Sequence, residues 1–279
     1  MTREEYLNEL ETLLVENEIE NKEEVLNKYQ KRFDLAGIAG MSEEETIEML
    51  GMPTEVVEQL KIKGKGKTNN ETIKMYNLVV KGCVSEDITV RRGDSEKIVI
   101  NMDEELKPCT EINQSENNIF IEISRTSNTY YTTNCEIEIL VGNNIGFEKL
   151  SLVTISGDIN VEDELKVNSL SLKTVSGDIE VGTVYGETAT LQSVSGDINV
   201  EKLEVKTVVT EAVSGDIDLG TTKASELRVK TTSGDVESKY AECDYAELST
   251  ISGDFNLTGK INEKKVRSLS GTINYYEVK

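Results

Sequence analysis

The sequence contains no histidine, and its four cysteines form no Cys-x-x-Cys pair. Histidine is the usual general base, the usual partner of a serine or cysteine nucleophile and the commonest metal ligand. Cys83, Cys109, Cys135 and Cys243 lie too far apart in the chain for a typical zinc motif. We therefore expect reduced thiols in or near the wall of the fold, no metal, no cofactor and no catalytic residues.

Long apolar runs are also missing. The start of the chain is polar from Thr2 to Glu5, and no stretch approaches the roughly 18 apolar residues that a membrane helix needs. From the sequence we expect no signal peptide, no transmembrane segment and a cytoplasmic location, with surface association left open.

Basic side chains are scarce, since 30 Lys and Arg face 52 Asp and Glu for a net charge of −22. Such a chain repels every phosphate of a nucleic acid, so no nucleic-acid partner is expected. The first 60 residues hold 5 basic and 16 acidic groups, which is half of the net charge in about a fifth of the chain. This asymmetry predicts two modules.

Residues 1–60 carry apolar side chains at helical spacing. Tyr6, Leu10 and Leu14 mark one apolar stripe, and further stripes run through Val25 to Phe33 and Ile47 to Leu60. The sequence predicts a small acidic helical bundle, followed by a flexible basic linker over residues 61–72 that contains Gly64 and Gly66.

Several motifs in this region resemble the HAAS signalling domain, a short helical unit of Gram-positive bacteria. They are the aromatic pair Tyr29 and Phe33 ahead of Ala36-Gly37, the run Glu44-Glu45-Thr46-Ile47, and the turn Leu50-Gly51-Met52-Pro53-Thr54-Glu55. HAAS domains often precede membrane segments or β-repeat domains, and this chain has no membrane segment of that kind.

The second module repeats the motif Ser-Gly-Asp about every 19 residues. The serines are Ser156, Ser176, Ser195, Ser214, Ser233 and Ser252, and a seventh copy reads Ser270-Gly271-Thr272. Apolar residues recur three positions after each serine, and five positions after and four positions before nearly every serine, with Ser238 and Thr210 as the exceptions. This spacing predicts a β-solenoid of seven regular coils over residues 151–279, each with about two short strands and a corner at the motif.

The corner residues are the predicted structural positions. They are Gly157, Gly177, Gly196, Gly215, Gly234, Gly253 and Gly271. We expect glycine there because it adopts a positive φ at no cost. Residues 73–150 contain Val84-Ser85-Glu86-Asp87, a copy of the motif without its glycine, and are predicted to form irregular first coils that cap the solenoid.

The repeat resembles the putative-adhesin family of bacterial β-strand-repeat domains. That resemblance implies a right-handed β-helix, and it implies a link of some relatives to cell-envelope stress responses. The fold class predicted is therefore mainly β, with a small α-helical bundle ahead of the solenoid.

One aspartate per coil forms a predicted ladder at the corner. Its members are Asp158, Asp178, Asp197, Asp216, Asp235 and Asp254. A calcium ladder is one interpretation, since calcium accepts several carboxylate oxygens. The other is that each aspartate bonds its own corner's backbone N–H groups without metal, which we favour because each coil supplies so few ligands.

Three functions remain open from the sequence. The first is a non-enzymatic binding or scaffolding module for an unidentified protein or glycan; the second is a polysaccharide-active enzyme with paired carboxylates; the third is a purely structural rod. The regular coils have almost no insertions to shape a cleft, which favours binding.

The last coil, with Tyr275 and Tyr276, has an unpaired strand edge that could form a dimer. Lys264, Lys265 and Lys279 are the charged residues that would prevent such pairing.

The two-module organisation is testable by proteolysis. We expect limited digestion of the full chain to cut between Gly64 and Asn70 and to leave two resistant fragments, because a glycine- and lysine-rich joint offers little structure to protect it. Mass spectrometry of the fragments locates the cut. A chain that resists cleavage there while its ends are digested would contradict the two-module prediction.

Overall fold

The computed structural model describes residues 2–16, 42–50, 73–124 and 135–278, with single positions and short runs within 22–33 and 52–57. The chain divides into two compact units, Met1–Glu71 and Thr72–Lys279. The predicted linker 61–72 lies outside the described residues. Among the helices that are described, none is long and apolar enough to cross a membrane.

The first unit is helical. Helix α1 spans Arg3–Glu16 and helix α2 spans Glu43–Leu50, while residues 25–27 and 29–31 are also helical. Its apolar cluster contains Tyr6, Leu10, Leu14, Val25, Phe33, Ile47, Val56 and Val57. The rings of Tyr6 and Phe33 meet edge to face with centroids 5.3 Å apart, a favoured aromatic geometry. The three predicted apolar stripes thus meet in one core.

Within its described residues, the second unit consists of seventeen strands and one short 3₁₀ turn, Lys107–Cys109. The strands are β1 (Lys74–Lys81), β2 (Asp87–Arg92), β3 (Val99–Met102), β4 (Thr110–Ser115), β5 (Asn118–Ile123), β6 (Glu136–Val141), β7 (Ile145–Val153), β8 (Ile159–Lys173), β9 (Ile179–Tyr185), β10 (Thr188–Gln192), β11 (Ile198–Glu204), β12 (Thr207–Glu211), β13 (Ile217–Asp218), β14 (Thr221–Lys230), β15 (Val236–Thr250), β16 (Phe255–Ser268) and β17 (Ile273–Glu277).

Parallel pairing joins equivalent residues of successive coils into three ladders. The first ladder, directly after the corner, stacks Ile137, Ile88, Ile159, Ile179, Ile198, Ile217, Val236, Phe255 and Ile273. The second stacks Leu165, Val184, Leu203, Thr222, Ala241 and Gly259. The third stacks Ile121, Val80, Leu152, Leu172, Leu191, Thr210, Val229, Leu248 and Val266. The β-solenoid prediction is confirmed, with about seven coils at 19-residue spacing.

The number of strands per coil differs from the prediction of about two. Each regular coil pairs its neighbours at three places, because a bend after the first strand creates a short second pairing segment. In the first regular coil the bend lies at Asp163, whose φ is +61°. Its carboxylate accepts a hydrogen bond from the Arg92 backbone N–H at 2.9 Å. The bend gives three faces, each one strand wide.

The irregular strands join the same ladders, but not in chain order. Strands β1 and β2 lie between β5 and β6 on one side and β7 and β8 on the other. Beyond them, β4 pairs with β5 and β3 pairs with β6 in antiparallel fashion. This antiparallel layer ends the parallel stack, and its strand β4 is polar and almost wholly exposed.

The corner glycines are required for a different reason from the one predicted. Their φ angles are not positive; among the described glycines only Gly82, Gly220 and Gly259 have positive φ. Instead, a Cβ at Gly196 would overlap the carbonyl oxygen of Gly177 in the coil before, and each other corner glycine faces its predecessor in the same way. The corners stack backbone on backbone, which leaves no room for any side chain.

The open C-terminal edge is partly covered by Tyr275. Its hydroxyl accepts a hydrogen bond from the Ile261 N–H and donates one to the Gly259 carbonyl, both at 3.0 Å. The Lys264 ammonium lies 3.7 Å from the centre of the Tyr275 ring, a close cation–π contact. These contacts support the protected-edge interpretation, while the edge-mediated dimer stays a prediction.

Two buried threonines of the solenoid interior differ in whether their hydroxyl group forms a hydrogen bond. Thr210 and Thr222 are both fully buried. The Thr222 hydroxyl donates to the Leu219 carbonyl at 3.0 Å, whereas the Thr210 hydroxyl has no hydrogen-bond partner among the described residues. A buried hydroxyl without a partner loses its solvation and gains nothing in return.

We expect Thr210→Val to stabilise the solenoid by about 1 kcal/mol, because an isosteric methyl group removes the unpaired hydroxyl. The matched control Thr222→Val removes a satisfied hydroxyl and should stabilise less or destabilise. Urea denaturation of both variants measures the difference. A Thr210→Val variant that is less stable than wild type would show that the hydroxyl has a partner.

Candidate binding surface

The candidate surface is built around the corner, whose hydrogen bonds hold the coils in register. The Asp178 N–H donates to Oδ1 of Asp158 at 2.8 Å, and the same bond recurs at each corner as far as Thr272, which donates to Asp254. The first bond of the series runs from Asp158 to Asp87 of the glycine-less copy. The aspartates therefore bridge successive coils, and do not bond their own corner's N–H as predicted.

A hydroxyl two residues before each serine completes most corners. Ser193 Oγ accepts from the Gly196 N–H at 2.9 Å, and Thr154, Thr174, Thr231 and Thr250 do the same in their coils. The fourth regular coil has Ala212 at this position and lacks the bond. In the glycine-less copy, Glu86 instead accepts hydrogen bonds from the Val84 and Ser85 N–H groups.

An exposed column of apolar side chains runs directly beside the corner. Its members, here named the apolar ridge, each precede the repeat serine and are Ile155, Val175, Val194, Val213, Ile251 and Leu269, with Thr232 in the fifth coil. The first five are 42–50% exposed and Leu269 is 82% exposed. Backbone bonds such as Ser195 N–H to the Val175 carbonyl, at 2.9 Å, hold the ridge in register.

Carboxylates occupy the other side of the corner. The six ladder aspartates stand next to a second outward column, four residues after each serine, that contains Glu180, Asp218 and Glu237. These nine carboxylates are here named the acidic face. Neither of their two columns contains a Lys or Arg. Two unit charges 4.8 Å apart repel by about 0.9 kcal/mol even in water, so this arrangement carries a cost.

Two other outward columns contain oppositely charged neighbours. Lys223 lies 3.7 Å from Glu242 of the next coil, and Lys265 lies 2.7 Å from Glu247. The hydrogen bond from Lys265 holds the pKa of Glu247 below its usual range. Since neighbouring coils can neutralise each other in this way, the acidic face stands out as the side where they do not.

An open groove of about 500 Å³ borders the acidic face at the bend between the first and second ladders. Its polar lining includes Glu162, Asp163, Glu180, Glu201, Asp218 and Lys239. Within the described parts of the chain, no three His, Cys, Asp or Glu side chains are placed to hold a metal ion. The groove therefore extends the negative surface.

Cys243 offers no activated thiol at this surface. Cys243 is buried inside the wall, and desolvation together with the nearby Asp244 raises its pKa to about 11. A thiol with such a pKa stays protonated at neutral pH and is a poor nucleophile. Cys109 is half-buried, with its Sγ donating to the Leu106 carbonyl at 3.2 Å.

Sequence reasoning found the corner residues but missed the ridge. The structure brings the predicted glycines and aspartates together at one corner of successive coils. The ridge was readable as an apolar column one residue before each serine, out of phase with the buried positions on either side. A strand pattern alone does not reveal it, because the corner reverses the alternation.

The parallel three-faced stack defines this chain as a β-solenoid with an acidic and apolar surface beside its corner. By family, it belongs to Toastrack DUF4097, whose model matches residues 76–277. A comparison with curated proteins found no match.

Solved structures share the fold at low sequence identity. A putative adhesin from Bacteroides fragilis is 16% identical, with a TM-score of 0.53 over 74% of this chain and 94% of that one. A putative lipid binding protein and a putative adhesin, both from Parabacteroides distasonis, are 17% and 15% identical with TM-scores of 0.47 and 0.48 over the same shares. The first of these likenesses supports the β-solenoid fold.

The bridging role of the aspartates predicts different effects of two substitutions. Asp216→Asn keeps an acceptor oxygen for the Asp235 N–H and removes a repelling charge, so we expect stability equal to or above wild type. Asp216→Ala removes the acceptor and should lower stability by about 1 kcal/mol. Thermal unfolding at low salt compares the two.

The same measurement tests the calcium interpretation. We expect millimolar calcium and a chelator to leave the melting temperature of the full chain nearly equal, since each coil offers only one corner carboxylate. A rise of many degrees in calcium that disappears when Asp197 and Asp216 are both replaced by Asn would overturn the metal-free interpretation.

Proposed function

We propose that this chain is a non-enzymatic binding or scaffolding protein whose solenoid presents one continuous surface to a partner. The observation that carries the proposal is the acidic face, where nine carboxylates stand without a basic neighbour in their columns. In two other outward columns opposite charges pair across coils, as Lys223 does with Glu242 and Lys265 does with Glu247. An unneutralised column costs free energy in the isolated protein and recovers it when a cationic partner docks.

The regularity of the coils favours binding over catalysis. A polysaccharide-active site needs an acid and a base at a fixed separation in a cleft that breaks the ladder. The acidic groove beside the face repeats similar side chains from coil to coil, as Glu180 and Asp218 occupy the same position of the repeat. Such a surface suits a partner that extends along several coils.

The helical unit supports an assignment to cell-envelope sensing. Its resemblance to a HAAS signalling domain implies a Gram-positive source, with the helical unit transmitting and the solenoid binding. The adhesin name carried by the Bacteroides fragilis structure agrees with a binding role at the cell surface. We therefore propose an adhesin-like solenoid connected to an envelope-sensing helical unit.

The proposal is tested by immobilising the full chain and measuring its binding to two preparations, a solubilised Gram-positive envelope-protein fraction and isolated cell-wall glycan. We expect saturable binding that weakens as salt rises, because exposed charges are screened within a Debye length of about 10 Å at 0.1 M. The triple variant Glu180→Gln, Asp218→Asn and Glu237→Gln should bind several-fold more weakly.

The matched control is Glu187→Gln, Glu226→Gln and Glu242→Gln, which changes the net charge equally but removes carboxylates that already pair with Lys206, Arg228 and Lys223. It should bind like wild type. Equal loss in both triple variants would show that only net charge matters, and absence of binding to both preparations would reject the proposal. Release of soluble sugar fragments from the glycan would identify an enzyme instead.

A further inference from the structure

The apolar ridge and the acidic face lie side by side along the whole regular solenoid, and together they define the chemistry of an occupant. Moving across the surface, the exposed side chains are apolar, then serine hydroxyls, then the ladder aspartates, and then a column in which Glu180, Asp218 and Glu237 are mixed with asparagines. On the other side of the ridge the outward column contains Lys173, Lys230 and Arg267 with a single acid, Glu211. The surface is thus amphipathic and asymmetric in charge.

From this arrangement we propose that the ridge binds an amphipathic helix of a partner protein, which lies along the solenoid axis with basic residues on the flank that faces the carboxylates. This inference rests on the proposed binding function.

The spacing of the ridge favours a helix over an extended strand. Successive coils are about 4.8 Å apart, a helix advances 5.4 Å per turn, and same-face residues of a strand are about 6.8 Å apart. The six steps from Ile155 to Leu269 cover about 29 Å, which corresponds to a helix of about 19 residues. Over the six steps a helix drifts from the ridge spacing by about 3.6 Å, less than one coil, whereas a strand drifts by about 12 Å, more than two coils.

The backbone of the corner excludes strand addition for a separate reason. The ridge carbonyls already accept hydrogen bonds from the next coil, as Val194 does from Ser214 and Val213 does from Ser233. Strand addition depends on free backbone donors and acceptors at a sheet edge. A partner at the ridge must bind through side chains, as a helix in a groove does.

The charge excludes the other occupants. A second copy of this chain carries the same net charge of −22, so the two copies repel each other. An anionic lipid surface or a nucleic acid is repelled for the same reason. What remains is a segment that carries both exposed apolar side chains and lysine or arginine, which is a basic amphipathic helix.

The test uses the full chain and a fluorescent 19-residue model peptide with leucines on one face, lysines along one flank and glutamines elsewhere. A scrambled peptide of the same composition is the first control. Fluorescence anisotropy should show the amphipathic peptide binding about tenfold more tightly than the scrambled one, because only the former covers the ridge with apolar area.

Two chain variants identify the surface. Val194→Ser with Val213→Ser should weaken binding about tenfold, while Val99→Ser with Val209→Ser, two outward valines on other strands, should not change it. Circular dichroism and melting confirm that all variants fold. The triple Glu180, Asp218 and Glu237 amide variant should weaken binding at low salt, and this difference should shrink as salt rises.

Equal binding by the ridge variant and wild type, equal binding of both peptides, or no binding of either peptide would overturn the inference. If the full chain still binds an envelope preparation in those cases, the proposed function stands and only the helix is wrong. If it binds neither the preparations nor the peptide, both proposals fail.

Discussion

The close stacking of corner backbones is the constraint on which the rest of the solenoid depends. Each corner glycine faces the carbonyl oxygen of the previous corner with no space for a Cβ, and each aspartate accepts the N–H of the next corner at 2.8 Å. Because every corner is fixed to its neighbour in the same way, the three ladders that follow inherit one register. Identical positions of the repeat then lie on top of one another along the whole stack.

This register has opposite effects inside and outside the wall. Inside, it stacks Leu172 on Leu191 and Ile179 on Ile198, which buries apolar area continuously. Outside, it places equivalent charged side chains of successive coils next to each other. These side chains repel unless neighbouring coils carry opposite charges. In two other columns opposite charges meet across coils, whereas in the acidic face they do not. The unequal treatment of equivalent positions is the physical basis for assigning a binding role to one side only.

The period, the corner and the apolar columns were predictable from sequence because each recurs seven times. The second pairing segment of each coil was not, since it contributes only about three residues, such as Glu164 to Lys166, and has no motif of its own. The placement of β1 and β2 between later strands could not be predicted either, because this irregular part of the chain occurs once and has no sequence repeat. The reason for glycine was misjudged because a single coil does not show the carbonyl that the next coil brings against it.

The defects of the repeat are concentrated in the fourth and fifth coils. In the fourth coil the Thr210 hydroxyl has no hydrogen-bond partner among the described residues, and Ala212 replaces the hydroxyl residue of the corner. In the fifth coil the Oγ of the buried Ser238 also lacks a partner among the described residues. The core of that coil contains the small side chains of Ala241 and Ala246. In a stack where each coil contacts only its neighbours, stability is close to a sum of local terms. These defects should lower the stability of the junction between the two coils, which lies in the middle of the apolar ridge. A partner helix long enough to span the ridge would bridge this junction, so binding and stabilisation of the solenoid are coupled through the same coils.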